Sequence, residues 1–396
     1  MYQGQKENSM YIRKKYRIYP TKEQEQFLNQ CIGNSRFVWN FFLSKIQEQY
    51  QTEKKFLFYN DTSKQLKSLK DTYEFLKISP SQAHQQTLKD LDGALKASYR
   101  KTSRFGFPKF KKKKFGGSFR LPQGCSISNN RLTLPKLKSD IKLVGKGIPE
   151  TFNSLTIIKT ATGKWFASFV VSFEPPEKVE IQNSVGIDLN SRYFVVLSSG
   201  HAIENPKFLK QKEARLKRYQ RQVSRKIKGS SNRNKARIKV ALQYEKIKNA
   251  TNDWIDQITT NIAKTYDHIS IEDLNVKAMQ KFNGRMILMA PFGLFRDKIT
   301  WKTNKFGKTL TVLNRFCPTS KVCSRCGSLL NLTLKDRYIS CECGLEIHRD
   351  HNASLNIHRV GTTQIDACGE TKQPENFKFQ WVSLKQETRP LGRGSS

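Results

Sequence analysis

Two groups of residues in this 396-residue chain have the types and spacing to do chemistry. The first is four cysteines: Cys323-x-x-Cys326 and Cys341-x-Cys343, each pair followed by a glycine, Gly327 and Gly344. Zinc takes four thiolates at the corners of a tetrahedron, and a knuckle turn closed by a positive-φ glycine brings two sulfurs to one ion. The pairs read as the metal ligands of a zinc ribbon (structural Zn2+), with Leu329 to Ile339 between them as its hairpin. The shorter second spacing demands a tighter knuckle. Two disulfides are the competing use of the same residues, and they need an oxidising compartment. Cys31, Cys125, Cys317 and Cys368 are scattered and read as ordinary thiols, with Cys317 a spare-ligand candidate.

The second group is acidic and dispersed: Asp188, Glu272 and Asp350. Hard cations prefer carboxylate oxygens, and phosphodiester hydrolysis uses two Mg2+ ions about 3.5–4 Å apart, one activating water and one stabilising the leaving oxygen. Three carboxylates converging from different elements can hold such a pair. Each also has an ordinary reading: Asp188 as a turn cap, Glu272 and its neighbour Asp273 as surface charge, Asp350 as a helix N-terminal acid favoured by the macrodipole.

Bringing the acids together is work for particular elements. SVGIDLNSRYFVVLSSGHAI alternates apolar and polar residues between two turn signals, which predicts a three-stranded meander with Asp188 on its first strand. TYDHISIEDLNV predicts a short strand ending at Glu272, Thr309 to Leu313 another, and RDHNASLNIHRV a helix with Asp350 in its first turn. Meander, helix, strand, helix is the order of an RNase H-like fold. The segment Lys207 to Lys248 carries sixteen Lys or Arg against Glu213 and Glu245, with Leu209, Leu216 and Val223 every seven residues and a break at Gly229-Ser230-Ser231. It predicts a helical hairpin whose outer face is strongly positive. Like charges one turn apart destabilise a helix unless an anion lies among them, which makes Arg218, Arg221 and Arg225 candidate nucleic-acid contacts.

The N-terminal part predicts a different assembly. Tyr11 to Tyr19 interleaves basic with apolar residues, a basic edge strand ending at Pro20. Thr21 with Gln24 forms a capping box for a helix carrying Phe27, Cys31, Val38, Phe41, Phe42 and Ile46, interrupted at Gly33. A polar connection leads to a second helix from Ser81, striped with Leu88, Leu91, Leu95 and Tyr99. Next, Phe105, Phe107, Phe110 and Phe115 lie among basic residues including Lys109, Lys111, Lys112, Lys113 and Lys114. Rings that stack on bases beside ammonium groups that meet phosphates make a candidate nucleic-acid contact; a solvated loop with phenylalanines tucked inward is the alternative. From Ser118 to Glu174 short strands and turns, including Asn129-Asn130 and Thr162-Gly163, predict a small antiparallel barrel into which the helices are inserted.

Composition points the same way. Lys and Arg number 71 against 33 Asp and Glu, a formal charge of +38. That excess exceeds what solubility needs and points to a polyanion partner. No apolar run is long enough for a signal peptide or a membrane span, so the expectation is a protein with no membrane partner, in a reducing compartment.

VGIDLN, SIEDLNV, PTSKVCSRCG, CGLEIHRDHNASLNI and, upstream, YPTKEQEQFL, GNSRFVWN and GFPKFKKK resemble the TnpB (OrfB) proteins of insertion sequences, relatives of type V CRISPR effectors and of Fanzor proteins. The resemblance runs from about Tyr11 to Val360. It implies an α/β multidomain protein: a β-barrel (wedge-like) domain over 1–20 and 115–176, a helical recognition domain over 21–114, a RuvC-like (RNase H-like) nuclease domain over 177–316 and 344–360, an inserted zinc ribbon over 317–343, and a disordered tail over 361–396. It implies an RNA-guided DNA endonuclease, with Asp188, Glu272 and Asp350 as catalytic Mg2+ ligands and Cys323, Cys326, Cys341 and Cys343 on zinc. The implied partners are a guide RNA from the transposon end and double-stranded target DNA with a short flanking motif, for a monomer acting in the prokaryotic cytoplasm at the nucleoid. Two features depart from the family pattern: His348 stands where many members carry an acid, and the second knuckle is C-x-C. The competing readings are a nuclease-inactive RNA-guided repressor, a transposase or accessory protein of transposition, and a zinc-ribbon scaffold without catalysis.

Overall fold

A computed structural model describes residues 10–100, 106–113, 116–275, 290–315, 317–333, 336–363 and 382–383. The chain divides into two compact units, Met1–Glu174 and Pro175–Ser396.

The first unit is a seven-stranded antiparallel sheet with three helices between its first two strands. Strands β1 (Met10–Tyr19), β2 (Gly117–Leu121), β3 (Ser126–Ser128), β4 (Arg131–Thr133), β5 (Ile141–Val144), β6 (Ser154–Lys159) and β7 (Trp165–Phe173) lie in the order β2-β6-β7-β1-β5-β4-β3. The basic strand β1 is therefore central, against the expectation of an edge. It pairs along its length with β7, from Met10↔Phe173 to Ile18↔Trp165, and its last residues pair with β5. Its charge does not bar it from the middle of the sheet, because ladder bonds are made by the backbone while alternate side chains turn to opposite faces. Ile18, Phe119, Leu132, Leu143, Leu155, Ile157, Ala167 and Phe169 pack one face; Tyr11, Arg13 and Lys15 stand exposed on the other. Asn129 and Asn130, with φ of 48° and 57°, make the tight turn between β3 and β4.

Helix α1 (Lys22–Glu53) begins at the expected capping box, with Thr21 and Gln24 bonded reciprocally, and runs without a break through Gly33. A methyl group at Gly33 would find open space, 4.0 Å from the Arg36 guanidinium, so glycine there costs propensity and not continuity. The polar connection holds a second helix, α2 (Tyr59–Thr72), and a 3-10 turn, Glu74–Ile78. Its apolar anchors, Leu66, Leu69 and Leu76, are too few to show a period, yet all three are buried against Val38, Phe42, Leu88, Leu91 and Leu95. In α3 (Ser81–Tyr99) the stripe holds except at Tyr99, which is 49% exposed and lies against the Phe56 ring.

The second unit is built on a mixed sheet. Strands β8 (Ser184–Asp188), β9 (Tyr193–Leu197) and β10 (His201–Glu204) form the antiparallel meander, β11 (His268–Glu272) lies parallel to β8, and β12 (Thr309–Leu313) lies parallel to β11. The helical hairpin is α4 (Phe208–Ser224) and α5 (Ser231–Thr265), with the Ser230 side chain capping α5. Of its heptad residues only Leu216 is fully buried. A further helix, α6 (Phe292–Lys305), was not expected; its Phe292, Phe295 and Ile299 join Ile255, Ile258 and Ile262 of α5 under the sheet. The hairpin β13 (Tyr338–Ser340) and β14 (Glu346–His348) leads into α7 (Arg349–Thr363). Of the expected tail, residues 361–363 belong to α7 and β15 (Val382–Ser383) pairs with β10, the rest lying outside the described residues.

Helix α7 sits directly on the sheet because two glycines let it. A Cβ on Gly186 of β8 would overlap the Ser354 carbonyl oxygen and the His358 backbone nitrogen, and one on Gly361 would overlap the Ser270 hydroxyl of β11. Backbone atoms cannot give way as a flexible side chain can. Gly186→Ala should therefore destabilise the unit by about 3 kcal/mol, whereas Gly33→Ala should stabilise its own by about 0.5–1 kcal/mol. Denaturant unfolding of both variants measures the contrast.

Candidate metal centre and nucleic-acid surfaces

Strand periodicity sorts the residues of β8 and β11 onto two faces. Val185, Ile187, Ile269 and Ile271 point to the apolar layer formed with α5 and α6. Ser184, Gly186 and Asp188, and in parallel His268, Ser270 and Glu272, alternate with them and face α7, where Ser184 Oγ lies 2.7 Å from His358 Nε2. The paired register ends at Ile271↔Ile187, so the next residues, Glu272 and Asp188, emerge side by side at the carboxyl ends of adjacent parallel strands. On α7 the residues at helical spacing over this face are Gly361, His358, Ser354 and, one turn further, Asp350. The structure thus brings the three predicted acids to one end of the sheet.

Asn190 joins two of them. Its side-chain Nδ2 donates to Asp350 Oδ2 at 2.9 Å and reaches Asp188 Oδ2 at 3.4 Å. The Asp188 carboxyl is pushed well above the usual range, by burial first and then by the charges of Asp350 and Glu272. Burial raises Glu272 also, against the Thr319 hydroxyl that donates to it. Its neighbour Asp273 behaves oppositely: burial raises it, but Arg296 and Arg315 more than offset that and hold it ionised below the usual range. Adjacent acids thus separate into an ion-paired one and one directed into the carboxylate cluster. Partly desolvated oxygens that repel one another are a donor set that protons or a hard cation can neutralise.

The four cysteines come together more tightly. Their sulfurs all lie within 4.8 Å of one another, Cys323 to Cys343 at 3.7 Å and Cys326 to Cys341 at 3.6 Å. A zinc tetrahedron with Zn–S bonds of about 2.3 Å has edges of ~3.8 Å, whereas a disulfide needs about 2.05 Å. The donor set fits zinc. Gly327 and Gly344 adopt φ of 80° and 82°, as the knuckles require. In the first knuckle the Gly327 amide donates to the Cys323 carbonyl four residues back, in the second the Gly344 amide to Cys341 three back, the tighter turn that C-x-C demands. Hydrogen bonding with Ser328 lowers the Cys326 thiol to about 6, favouring the thiolate that binds metal. The expected hairpin between the pairs is instead two turns, each enclosing one pair: Val322 bridges to Leu329, and β13 pairs with β14. Cys317 lies outside the group.

Sequence reasoning missed the residues that lock the knuckle in place. Asn352, fully buried on α7, accepts from the Ser324 amide and donates to the Val322 carbonyl; Asn356, one turn on, donates to the carbonyls of Thr319 and Val322. Thr319 in turn holds Glu272. The i,i+4 spacing of the two asparagines in NASLN was the available signal.

Of the basic candidates, Arg218, Arg221 and Arg225 lie exposed along α4 and its end. Lys109, Lys111, Lys112 and Lys113 are exposed on a strap pinned to α1: Trp39 Nε1 donates to the Lys109 carbonyl, Asn40 bonds the Lys111 backbone in both directions, and Lys111 Nζ lies 3.6 Å over the Trp39 ring. Phe107 and Phe110 on that strap are exposed, so they are not tucked into a core. Lys114, Phe105 and Phe115 lie outside the described residues. Among the described residues no helix is long and apolar enough to cross a membrane.

Three family models match: one described as a probable transposase over residues 168–283, a helix-turn-helix domain over 10–55, and a Cas12f1-like TNB domain over 292–357. Over 10–55 the structure has β1 and one unbroken helix. A protein of Streptomyces pristinaespiralis with the provisional name RNA-guided DNA endonuclease is 33% identical over 391 residues, 96% of this chain and 97% of its own. InsQ of Escherichia coli, named in the same terms, is 31% identical over 91% of this chain and 94% of its own. Among solved structures, Cas12f1 in complex with sgRNA and target DNA has a similar fold, with a TM-score of 0.56 at 16% identity over 85% of this chain and 83% of that one.

Metal analysis of the purified protein should find one zinc per chain. Cys343→Ser should abolish it and lower the unfolding temperature, since metal binding free energy is folding free energy here.

Proposed function

The chain belongs to the TnpB (OrfB) family, and from that premise we propose that it is an RNA-guided DNA endonuclease of an insertion sequence, cutting by metal-dependent phosphodiester hydrolysis at Asp188, Glu272 and Asp350. The observation that carries the reading is the convergence of those acids, with the carboxyls of Asp188 and Glu272 raised, at the carboxyl ends of β8 and β11 under the first turn of α7. The sheet order β12-β11-β8-β9-β10, with its meander and the parallel strands β8, β11 and β12, supports the RNase H-like reading. With it go the wedge-like reading of the first unit's sheet (1–20 and 115–176), the recognition reading of its helices (21–114), and the division of the second unit into nuclease (177–316 and 344–360) and ribbon (317–343).

In this mechanism the carboxylates of Asp188, Glu272 and Asp350 would hold two Mg2+ ions. When bound, the ions supply a water of lowered pKa and neutralise charge on the leaving oxygen. The protein's part is to present oxygens already partly shielded from water and fixed in direction: the Asn190 amide orients Asp350, and the Thr319 hydroxyl orients Glu272. The zinc knuckle, tied to α7 through Asn352 and Asn356, holds Thr319 where it can do so. Guide RNA and target DNA account for the charge of +38, since a guide scaffold and an opened duplex together present many phosphates. Base pairing reads the target, and the protein reads a short flanking motif.

Plasmid cleavage in Mg2+ by protein purified with RNA from its own locus, against a randomised flanking library, tests the reading. Cuts should follow the guide and fall by at least about a thousandfold in Asp188→Ala or Asp350→Ala, while guide binding stays within about twofold because both variants keep every cationic side chain. Binding without cutting by the unaltered protein would instead favour the repressor reading.

The α4–α5 hairpin supplies a separate test. Reversing charge at Arg218 and Arg221 should weaken nucleic-acid binding and reduce the slope of log affinity against log salt by about two, one for each phosphate left without its cation. An unchanged slope would remove the hairpin from the interface.

A further inference from the structure

Asn190 does more than a turn residue needs to do. Its Oδ1 accepts the backbone amides of Arg192 at 3.0 Å and Tyr193 at 2.8 Å, which fold the turn between β8 and β9. Two N–H donors on that atom identify it as the oxygen, so the –NH2 end must face the other way. There it meets Asp350 Oδ2 at 2.9 Å and Asp188 Oδ2 at 3.4 Å. An –NH2 has two hydrogens, and these point at carboxylates from two elements that repel each other, Asp350 lying 160 residues along the chain from Asn190.

We propose that Asn190 is a positioning residue for the cation site: anchored by the turn, its amide sets how Asp188 and Asp350 are presented to a divalent ion. The inference rests on the nuclease reading above and goes beyond it by assigning a neutral residue the control of cation affinity. A neutral donor suits that task. It reduces repulsion between the two acids without a positive charge that would compete with the ion, and it engages one oxygen of each carboxylate. A lysine or arginine there would neutralise the acids and exclude the cation.

The turn and positioning roles separate in one substitution. Asn190→Asp keeps an oxygen for the Arg192 and Tyr193 amides, so the turn survives, but it replaces the donor by a further negative oxygen. Asn190→Ala loses both functions. Full-length, zinc-loaded protein without RNA would be titrated with MgCl2 in a calorimeter and melted with and without Mg2+, with Asp188→Ala as control; cleavage by the guide complex would be followed against Mg2+ concentration. Asn190→Asp should melt lower than the unaltered protein without Mg2+, gain more on its addition, and reach half-maximal cleavage at a lower concentration. Asn190→Ala should need about tenfold more Mg2+ and recover most of its cleavage rate at saturation. If Asn190→Asp matches the unaltered protein in both titrations while Asn190→Ala is merely less stable, Asn190 only forms the turn and the proposal fails alone. If the unaltered protein gives no cation heat that Asp188→Ala removes, the proposal fails together with the metal-dependent nuclease reading.

Discussion

The close approach of α7 to the sheet is the constraint on which the second unit depends. Gly186 and Gly361 leave no room for a Cβ, and so the helix backbone closes on β8 at Gly186, while at Gly361 it closes on the Ser270 side chain of β11. A helix at ordinary packing distance would hold Asp350 several ångströms further from the strand ends. The same close packing delivers Asn352 and Asn356 to the backbone of residues 319–324, so that one helix fixes both an acid and the knuckle.

The acids carry an electrostatic cost that the fold meets locally. Bringing Asp188 out of water and near Asp350 and Glu272 raises its pKa, and a raised carboxyl pKa means the ionised form is disfavoured in the folded state. The neutral groups Asn190 and Thr319 take part of that cost without quenching the charge. Asp273 shows the contrast one residue away: placed between Arg296 and Arg315, it is an ordinary structural ion pair. Position on the strand end, and not residue type, separates the two.

The first unit places its charge differently. Its seven strands contain no Asp or Glu at all, while Arg13, Lys15 and Arg17 project from the central strand, with Lys15 and Arg17 lying over the Phe166 ring. The lysine strap is fixed by its backbone to Trp39 and Asn40, and the side chains of Lys109, Lys112 and Lys113 stand exposed along it. Cations mounted on rigid backbone lose less entropy when they meet phosphate than cations on a loose loop.

How much of this was legible in the sequence follows from how local each signal is. The knuckles, the capping box at Thr21, the Asn129-Asn130 turn and the alternation in VGID and HISIE depend on a few neighbouring residues, and each is readable there. The family resemblance points to the three acids, and the structure sets them in one place. Helices α2 and α6 escape a reading of periodicity because their few apolar residues find partners on other elements. Strand β1 reads as an edge because its neighbours, β5 and β7, lie more than a hundred residues away. Gly33 and Gly186 look alike in sequence; one faces open space and the other a helix backbone. Residue chemistry within a short window was decided by the sequence alone. Which glycine bears a close approach, which acid is ion-paired and which asparagine spans two elements were decided only by tertiary packing, since those contacts join residues with no sequence period in common.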